Sequence, residues 1–206
     1  IMGFTQLLNS ENLTSEQRNE YTGIINNSAK RLLTVVSDIL EISQIESGKT
    51  HIYESSFDLN DLLSEVFETT RVQVDSKIGF CYSFELSTPD SIINTDYEKL
   101  KKVLHNLLDN AIKFTEKGKI EFGYVLKNNN IEFFVRDTGI GIDRENHKLI
   151  FDRFRKTDFN NNKMYDGVGL GLTISKELLK AMGGKIWLDS TVGNGSTFYF
   201  TIPYKK

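Results

Sequence analysis

The sequence predicts an α+β protein in which an α-helical hairpin precedes a two-layer α/β sandwich. Apolar residues recur at three-to-four spacing through the first 47 residues, which is typical of amphipathic helices. Beyond them, predicted helices alternate with strands that pair through short turns, which favours a sandwich over a parallel Rossmann sheet. Prolines are also scarce, two in the whole chain, where average usage would give about ten. Long uninterrupted elements are therefore possible.

The hairpin is predicted to consist of a short helix over residues 1–10 and a long one from Ser15 to Ser47. The first helix has an apolar face but no cap ahead of it, so we expect the chain to be a piece of a longer protein. In the second helix, Ser15 is the expected N-cap and Gly48 the expected stop.

The apolar stripe of the long helix is broader than one short partner helix can cover. Its members are Tyr21, Ile24, Ile25, Leu32, Leu33, Val35, Val36, Ile39, Leu40 and Ile42. Two hairpins from two chains would close a four-helix bundle, so we expect a homodimer. The alternative is a hairpin that packs on the globular part of its own chain.

Residues 48–51 mark the expected boundary between a hairpin domain, 1–49, and a second domain, 50–206. Asp58 is the expected N-cap of the first helix beyond it, and the turn-forming residues 127–130 predict a β-hairpin. The predicted helices cover 58–76, 97–114 and 169–182, and the predicted strands cover 80–86, 119–126, 131–136, 185–189 and 197–202.

The overall composition excludes several classes of protein. With 25 Lys and Arg against 28 Asp and Glu, the net charge of −3 argues against a nucleic-acid binder. The single cysteine, Cys81, rules out an intramolecular disulfide. Apolar runs fall short of the roughly 18 residues that a membrane-spanning helix needs, so we expect no direct membrane contact from this part of the protein.

The first candidate site pattern lies on the helix predicted over 97–114. Asn106, Asn110 and Lys113 stand at i, i+4 and i+7, which places two amides and an ammonium on one helical face. Amide oxygens are suitable ligands for Mg²⁺ that bridges phosphates, and the lysine can neutralise phosphate charge. The alternative is a solvated polar stripe.

Two glycine-containing segments supply the other candidate patterns. Asp137 follows an apolar strand and could accept a hydrogen bond from the exocyclic amine of adenine, while Gly139 and Gly141 would let the backbone approach the ring. Residues 166–172 open a helix, whose N–H groups could bind a triphosphate. Taken singly, either segment could be an ordinary tight turn.

This combination resembles the ATP-binding domain of sensor histidine kinases, within the Bergerat-type (GHKL) superfamily that also holds gyrase and mismatch-repair ATPases. The resemblance covers essentially the whole chain. The matching segments are 45–49 at the end of the dimerisation hairpin, 106–115 (the N box), 137–142 (the first glycine box), 150–154 (the F box), 167–172 (the second glycine box) and 193–198 (the closing glycine-serine-threonine segment).

The resemblance implies a Mg-ATP site. It assigns Asn110 as the Mg²⁺ ligand, places Asn106 and Lys113 at the phosphates as catalytic residues, and has Phe114 and Asp137 contact adenine. The further nucleotide-binding residues that it implies are Gly139, Gly141, Ile142, Phe151, Lys156, Gly167, Gly169, Leu170, Gly171 and Thr197. Residues 152–168 would form a mobile lid. Within it, Lys156 replaces the arginine that is common in the family.

The implied activity is transfer of the ATP γ-phosphoryl group to a histidine and then to an aspartate of a response-regulator receiver domain. Hydrolysing members of the superfamily place a glutamate base where this chain has Asn106, and an amide cannot accept a proton from water. The acceptor histidine is expected upstream of residue 1, so this fragment should not phosphorylate itself. The resemblance also implies a cytoplasmic location, as the cytoplasmic portion of a membrane-anchored bacterial sensor.

Two other functions stay open at this point. One is an ATP-hydrolysing relative such as a gyrase-like ATPase, which steady phosphate release would indicate. The other is a catalytically silent module that only binds nucleotide or dimerises. Failure to bind an ATP analogue in Mg²⁺ would favour the silent module.

Overall fold

The computed structural model describes residues 2–9, 13–48, 50–153, 155 and 169–205. The chain divides into two compact units, residues 1–47 and 48–206. None of the described helices combines the length and the apolar character that crossing a bilayer requires.

The first unit is a helical hairpin of α1 (Met2–Leu8) and α2 (Ser15–Glu46). The N-cap of α2 is Thr14 and not Ser15, because Thr14 Oγ1 accepts from the backbone N–H of Gln17. The Gln17 side chain in turn accepts from the Thr14 N–H, which completes a capping box. Such a cap contributes about 1 kcal/mol to stability. The helix stops as predicted, with Gly48 at a φ of 66°.

A ring contact holds the two helices of the hairpin together, with the Phe4 and Tyr21 centroids 5.4 Å apart. Much of the apolar stripe on α2 nevertheless stays exposed in the single chain, and Leu33 is 69% exposed. The other large apolar side chains of α2 that remain exposed are Leu32, Val36, Ile39 and Leu40. This surface is the one that the sequence predicts to lie in a dimer interface.

The second unit is built on a mixed five-stranded sheet with the strand order β2-β4-β5-β7-β6. Its strands are β2 (Ile78–Phe84), β4 (Gly118–Lys127), β5 (Asn130–Asp137), β6 (Lys185–Thr191) and β7 (Gly195–Pro203). A second, two-stranded sheet is formed by β1 (Ser55–Asp58) and β3 (Ile92–Thr95), and it was not predicted from the sequence. Each strand has only four residues, the lower limit for a periodic pattern, and β1 shows no alternation of burial.

The predicted β4–β5 hairpin is confirmed, with Lys127 paired to Asn130. Asn128 and Asn129 have φ values of 50° and 59°, as a two-residue hairpin turn requires. In contrast, β2 pairs with β4 in parallel. The prediction of strands joined by short turns did not include a parallel pair. The long crossover that a parallel pair needs is supplied by residues 85–117.

Three helices cover one face of this sheet: α3 (Leu59–Arg71), α4 (Tyr97–Phe114) and α5 (Gly171–Ala181). Asp58 caps α3 as predicted, by accepting from the Asn60 N–H at 2.8 Å, but the helix ends at Arg71 and not near Ser76. α4 has its predicted bounds. The apolar sides of these helices and the inner face of the sheet form the core, which confirms the two-layer α+β prediction.

Alternation along β5 and β7 decides which side chains face the helices. Phe133 lies opposite Phe200, with stacked rings 4.5 Å apart, and both side chains are fully buried. Four residues after Phe133 on β5, Asp137 lies opposite Ser196 of β7 on the same inner face of the sheet. Arg136 points to the outer face. The sheet therefore ends, on its helix-covered side, in a buried carboxylate.

Candidate functional site

The loop that follows β5 packs on the C-terminal end of α4. The backbone N–H of Ile140 donates to the carbonyl oxygen of Phe114 at 3.3 Å. A Cβ atom at Gly139 would lie within 3.0 Å of that same oxygen, so only glycine fits there. This contact brings Asp137 to the end of the helix that carries Asn106, Asn110 and Lys113.

Asp137 is the buried charged group of the site, with 6% of its surface exposed. Burial raises the pKa of its carboxyl above the ordinary 3.8, and hydrogen bonds from the backbone N–H groups of Gly139 and Ser196 oppose that rise. The bond from the Gly139 N–H to Oδ1 is 2.8 Å long. The carboxylate is thus held in one orientation, as recognition of a nucleobase amine requires.

The turn between β6 and β7 is joined to the loop that follows Asp137. Gly141 has a φ of +70°, and a Cβ there would lie within 3.0 Å of the Thr191 carbonyl oxygen. Gly195 has a φ of +84°, and its Cβ would meet the carbonyl oxygen of Asp137 equally closely. The sequence predicts that Gly139 and Gly141 let the backbone approach an adenine ring. In the structure, the chain's own backbone already requires glycine at both positions.

Ser190 on β6 holds the same loop by hydrogen bonds. Its Oγ accepts from the Ile142 N–H at 2.8 Å and donates to the Gly195 carbonyl oxygen at 2.9 Å. Its only proton is then used, so the Ser196 hydroxyl, 2.9 Å away, is the donor of that pair. Ile142 is thereby placed through its backbone. No local sequence pattern singles out Ser190.

Thr197 was the predicted binding residue of β7, and the structure separates it from Asp137. It lies on the outer face of the sheet, where its hydroxyl accepts from Arg136 Nε at 3.4 Å. Ser196 is the residue that shares the inner face with Asp137. A shift of one position along a strand reverses the face. The even spacing from Ser196 to Phe198 and Phe200 could have revealed this.

On α4, Asn106, Asn110 and Lys113 are all half-buried. Asn106 contacts the start of α5, since its Nδ2 donates to the Gly171 carbonyl oxygen and to Ser175 Oγ, each at 3.1 Å. The Lys113 ammonium lies 4.8 Å from the centre of the Phe114 ring. The structure therefore brings the asparagine face of α4 against the glycine-rich start of α5.

The residues that lead into α5 fix the path of the backbone, and they present few side chains that could contact a ligand. Gly169 has a φ of +77°, and a Cβ there would meet the Arg155 carbonyl oxygen. Leu170 occupies the N-cap position, where it forms no side-chain hydrogen bond to the first turn, and its side chain is buried. Its predicted contact with a nucleotide can therefore come only from the backbone. Gly167 and Lys156 lie outside the described residues.

Phe151 also belongs to the core. It is buried, its ring packs edge-on against Phe198 at 6.5 Å, and its carbonyl oxygen accepts from Thr173 Oγ1 at 3.0 Å. The structure thus shows Phe151 as a packing residue beside α5. A direct contact of Phe151 with nucleotide stays a prediction.

The donor set fits magnesium held together with phosphate. Within the described residues, no cluster of three or more His, Cys, Asp or Glu side chains could hold a metal ion. The amide oxygens of Asn106 and Asn110, one helical turn apart on α4, are the hard neutral ligands available. Mg²⁺ suits such a site because it retains waters and takes much of its coordination from phosphate oxygens.

Two family descriptions match the chain. The family described as histidine kinase-, DNA gyrase B- and HSP90-like ATPase matches residues 95–206. The family described as the His Kinase A (phospho-acceptor) domain matches residues 1–48.

Similar proteins are much longer than this chain. Over its whole length it is 39% identical to hybrid signal transduction histidine kinase L of Dictyostelium discoideum, of which it covers 12%. It is 36% identical to the sensor protein GacS of Pseudomonas syringae pv. syringae, of which it covers 23%. The chain thus spans less than a quarter of either relative.

Two solved structures are similar to this chain over nearly its whole length. Full-length ShkA in complex with AMPPNP matches with a TM-score of 0.82 and 30% identity, covering 100% of this chain and 42% of that one. The histidine kinase ThkA in complex with the response regulator protein TrrA matches with a TM-score of 0.75 and 29% identity, covering 99% of this chain and 56% of that one.

Proposed function

The chain belongs to the histidine kinase family, and from that premise we propose that it is the catalytic core of a two-component signalling kinase. In this proposal it binds Mg-ATP, passes the γ-phosphoryl group to a histidine, and acts with a receiver domain whose aspartate takes the group next. We assign residues 1–49 to the dimerisation hairpin and 50–206 to ATP binding.

The observation that carries the proposal is the convergence of three distant segments by direct hydrogen bonds. Asn106 on α4 bonds to Gly171 at the start of α5, and Phe114 at the end of α4 bonds to the loop after Asp137. A buried carboxylate, two amide groups and the start of a helix thus lie along the C-terminal half of α4. These groups suit adenine, Mg²⁺ and phosphates, respectively.

Each residue then has a separate task. The carboxylate of Asp137 accepts from the adenine amine, Asn110 holds Mg²⁺ through its amide oxygen, and Lys113 supplies positive charge to the phosphates. The magnesium ion, when bound, neutralises phosphate charge. Phosphoryl transfer needs little more from the protein than such positioning and neutralisation. Asn106 has no basic group that could take a proton from water, which favours transfer over hydrolysis.

The partners follow from the hairpin and from the relatives. The exposed leucines of α2, such as Leu33, support a homodimer in which a second hairpin covers them. The complex of the similar kinase ThkA with TrrA supports a response regulator as the second partner. We propose a cytoplasmic location, where ATP and receiver domains are found.

Replacing Asn110 with alanine tests the Mg-ATP site. We expect the variant to bind a fluorescent ATP analogue in Mg²⁺ about tenfold to 100-fold more weakly, because it loses a ligand to a charged group. Asn27→Ala, on the exposed surface of α2, is the matched control and should bind as the unmodified chain does. Equal affinities of all three proteins would contradict the proposed site.

The chain's own histidines are not expected to accept phosphate. The three are His51, His105 and His147, and none stands in the hairpin, whose family is described as the phospho-acceptor domain. His147 is engaged with the Ile142 carbonyl oxygen, and burial lowers the pKa of His105. With labelled Mg-ATP we expect no acid-labile phosphohistidine on this chain. Its appearance would show that one of the three histidines is an acceptor.

A further inference from the structure

The side chain of Asn106 forms two hydrogen bonds to α5, and a third joins their two acceptors. Its Nδ2 donates to the Gly171 carbonyl oxygen and to Ser175 Oγ, each at 3.1 Å. Ser175 Oγ donates to the same Gly171 oxygen at 2.9 Å. One amide on α4 thus bonds to two groups on α5, a helix far away in sequence.

The chemistry of the partners determines the orientation of that amide. A backbone carbonyl oxygen can only accept, so the nitrogen of Asn106, and not its oxygen, must face Gly171. The hydroxyl proton of Ser175 goes to the same carbonyl, so its oxygen accepts from Asn106 Nδ2. The amide nitrogen of Asn106 therefore faces α5, where both acceptors lie.

The group that remains is the carbonyl oxygen of Asn106. Within the described parts of the chain, no donor bonds to this Oδ1. An oxygen in this state can accept a hydrogen bond or bind a cation, whereas the nitrogen is turned toward its acceptors on α5. This distinction matters because an amide that is not held could bind a cation through its oxygen or donate to a phosphate through its nitrogen.

Ser175 cannot take part directly in binding, because it is fully buried on α5. Any influence that it has on a bound nucleotide must pass through Asn106 or the start of α5. The hydroxyl is the only part of its side chain that can orient the amide.

We propose that Ser175 is a positioning residue that helps to hold the Asn106 amide with its nitrogen toward α5 and its carbonyl oxygen toward the magnesium ion, or a water bound to it. The inference rests on the proposed function, and it adds a residue and a direction to it. Loss of the Ser175 hydroxyl should therefore weaken the contribution of magnesium to nucleotide binding. Binding without magnesium should stay the same.

The test measures the affinity of the whole chain for a fluorescent ATP analogue, once in Mg²⁺ and once in a chelator. In Ser175→Ala we expect the ratio of the two affinities to fall about threefold to tenfold, as for the loss of one hydrogen bond. Thr70→Val is the matched control, because Thr70 is buried on α3 and its hydroxyl has no partner within the described structure. Its ratio should equal that of the unmodified chain.

A double-mutant cycle separates positioning from a general effect on folding. Asn106→Ala should lower the same ratio, and adding Ser175→Ala to it should cause no further change, because the hydroxyl acts through the amide. Equal losses with and without magnesium, additive losses in the double variant, or an unchanged ratio in Ser175→Ala would each overturn the inference. If the unmodified chain binds no nucleotide in Mg²⁺, the proposed function itself fails.

Discussion

Replacing Asp137 with asparagine is expected to abolish most nucleotide affinity while the protein stays as stable or becomes more stable at neutral pH. The carboxylate is the proposed acceptor for the adenine amine, and losing a charged partner in a buried site costs about tenfold to 100-fold in affinity. Fluorescent ATP analogue binding measures this loss. Asp189→Asn, on the exposed part of β6, is the control and should bind normally.

The stability side of this prediction follows from the direction of the pKa shift. Burial raises the carboxyl pKa of Asp137 in the folded protein above 3.8, so the folded state binds its proton more tightly than the unfolded chain does. The folded protein therefore loses stability as the pH rises through that raised pKa. The neutral amide avoids this loss.

Chemical denaturation at several pH values measures the effect. The variant's advantage in free energy of unfolding should be largest at neutral pH and should shrink as the pH falls below the raised pKa. A variant that is destabilised at neutral pH and gains stability on acidification relative to the unmodified chain would contradict the burial argument.

Replacing Gly141 with alanine is expected to destabilise the second unit by at least about 3 kcal/mol, well above the loss for a typical substitution. Two effects combine at this position. The φ of +70° is unfavourable for any residue with a Cβ, and that Cβ would lie within 3.0 Å of the Thr191 carbonyl oxygen. Relief would require the β6–β7 turn to move away from the loop after Asp137, so nucleotide affinity should fall as well.

Gly193 provides a control with the same backbone strain and no clash. Its φ is +82°, and nothing lies within 4 Å of an added Cβ. Gly193→Ala should therefore cost only about 1 to 2 kcal/mol, the strain of a left-handed conformation. Urea denaturation of both variants gives the comparison. Equal losses at the two glycines would show that conformation alone, and not the contact with Thr191, requires glycine at position 141.

Elements with strong local patterns were predictable from the sequence. α4 has its predicted bounds because Asp96 caps it by accepting from the Lys99 N–H and because its apolar residues keep a helical period. The β4–β5 hairpin depends on asparagines that tolerate positive φ. The cap of α2 was misplaced by one residue although Thr14 and Gln17 stand at capping-box spacing.

The parts of the site that escaped prediction depend on contacts between distant residues. Ser190 holds Ile142 across 48 positions, and Ser175 holds Asn106 across 69. Neither pair shares a local pattern, so only the packing of β6 beside the loop and of α5 beside α4 reveals them. The same is true of the parallel pairing of β2 with β4.

The sequence by itself determined which chemical groups are present and in what order: two amides and a lysine on one helical face, a carboxylate at a strand end, and glycines around it. These follow from residue type and helical period, which are local properties. The tertiary structure alone decided how those groups are used. It placed Ser196 and not Thr197 beside Asp137, because strand register sets the face of every side chain. It turned the amide nitrogen of Asn106 toward α5, because a carbonyl oxygen there can only accept.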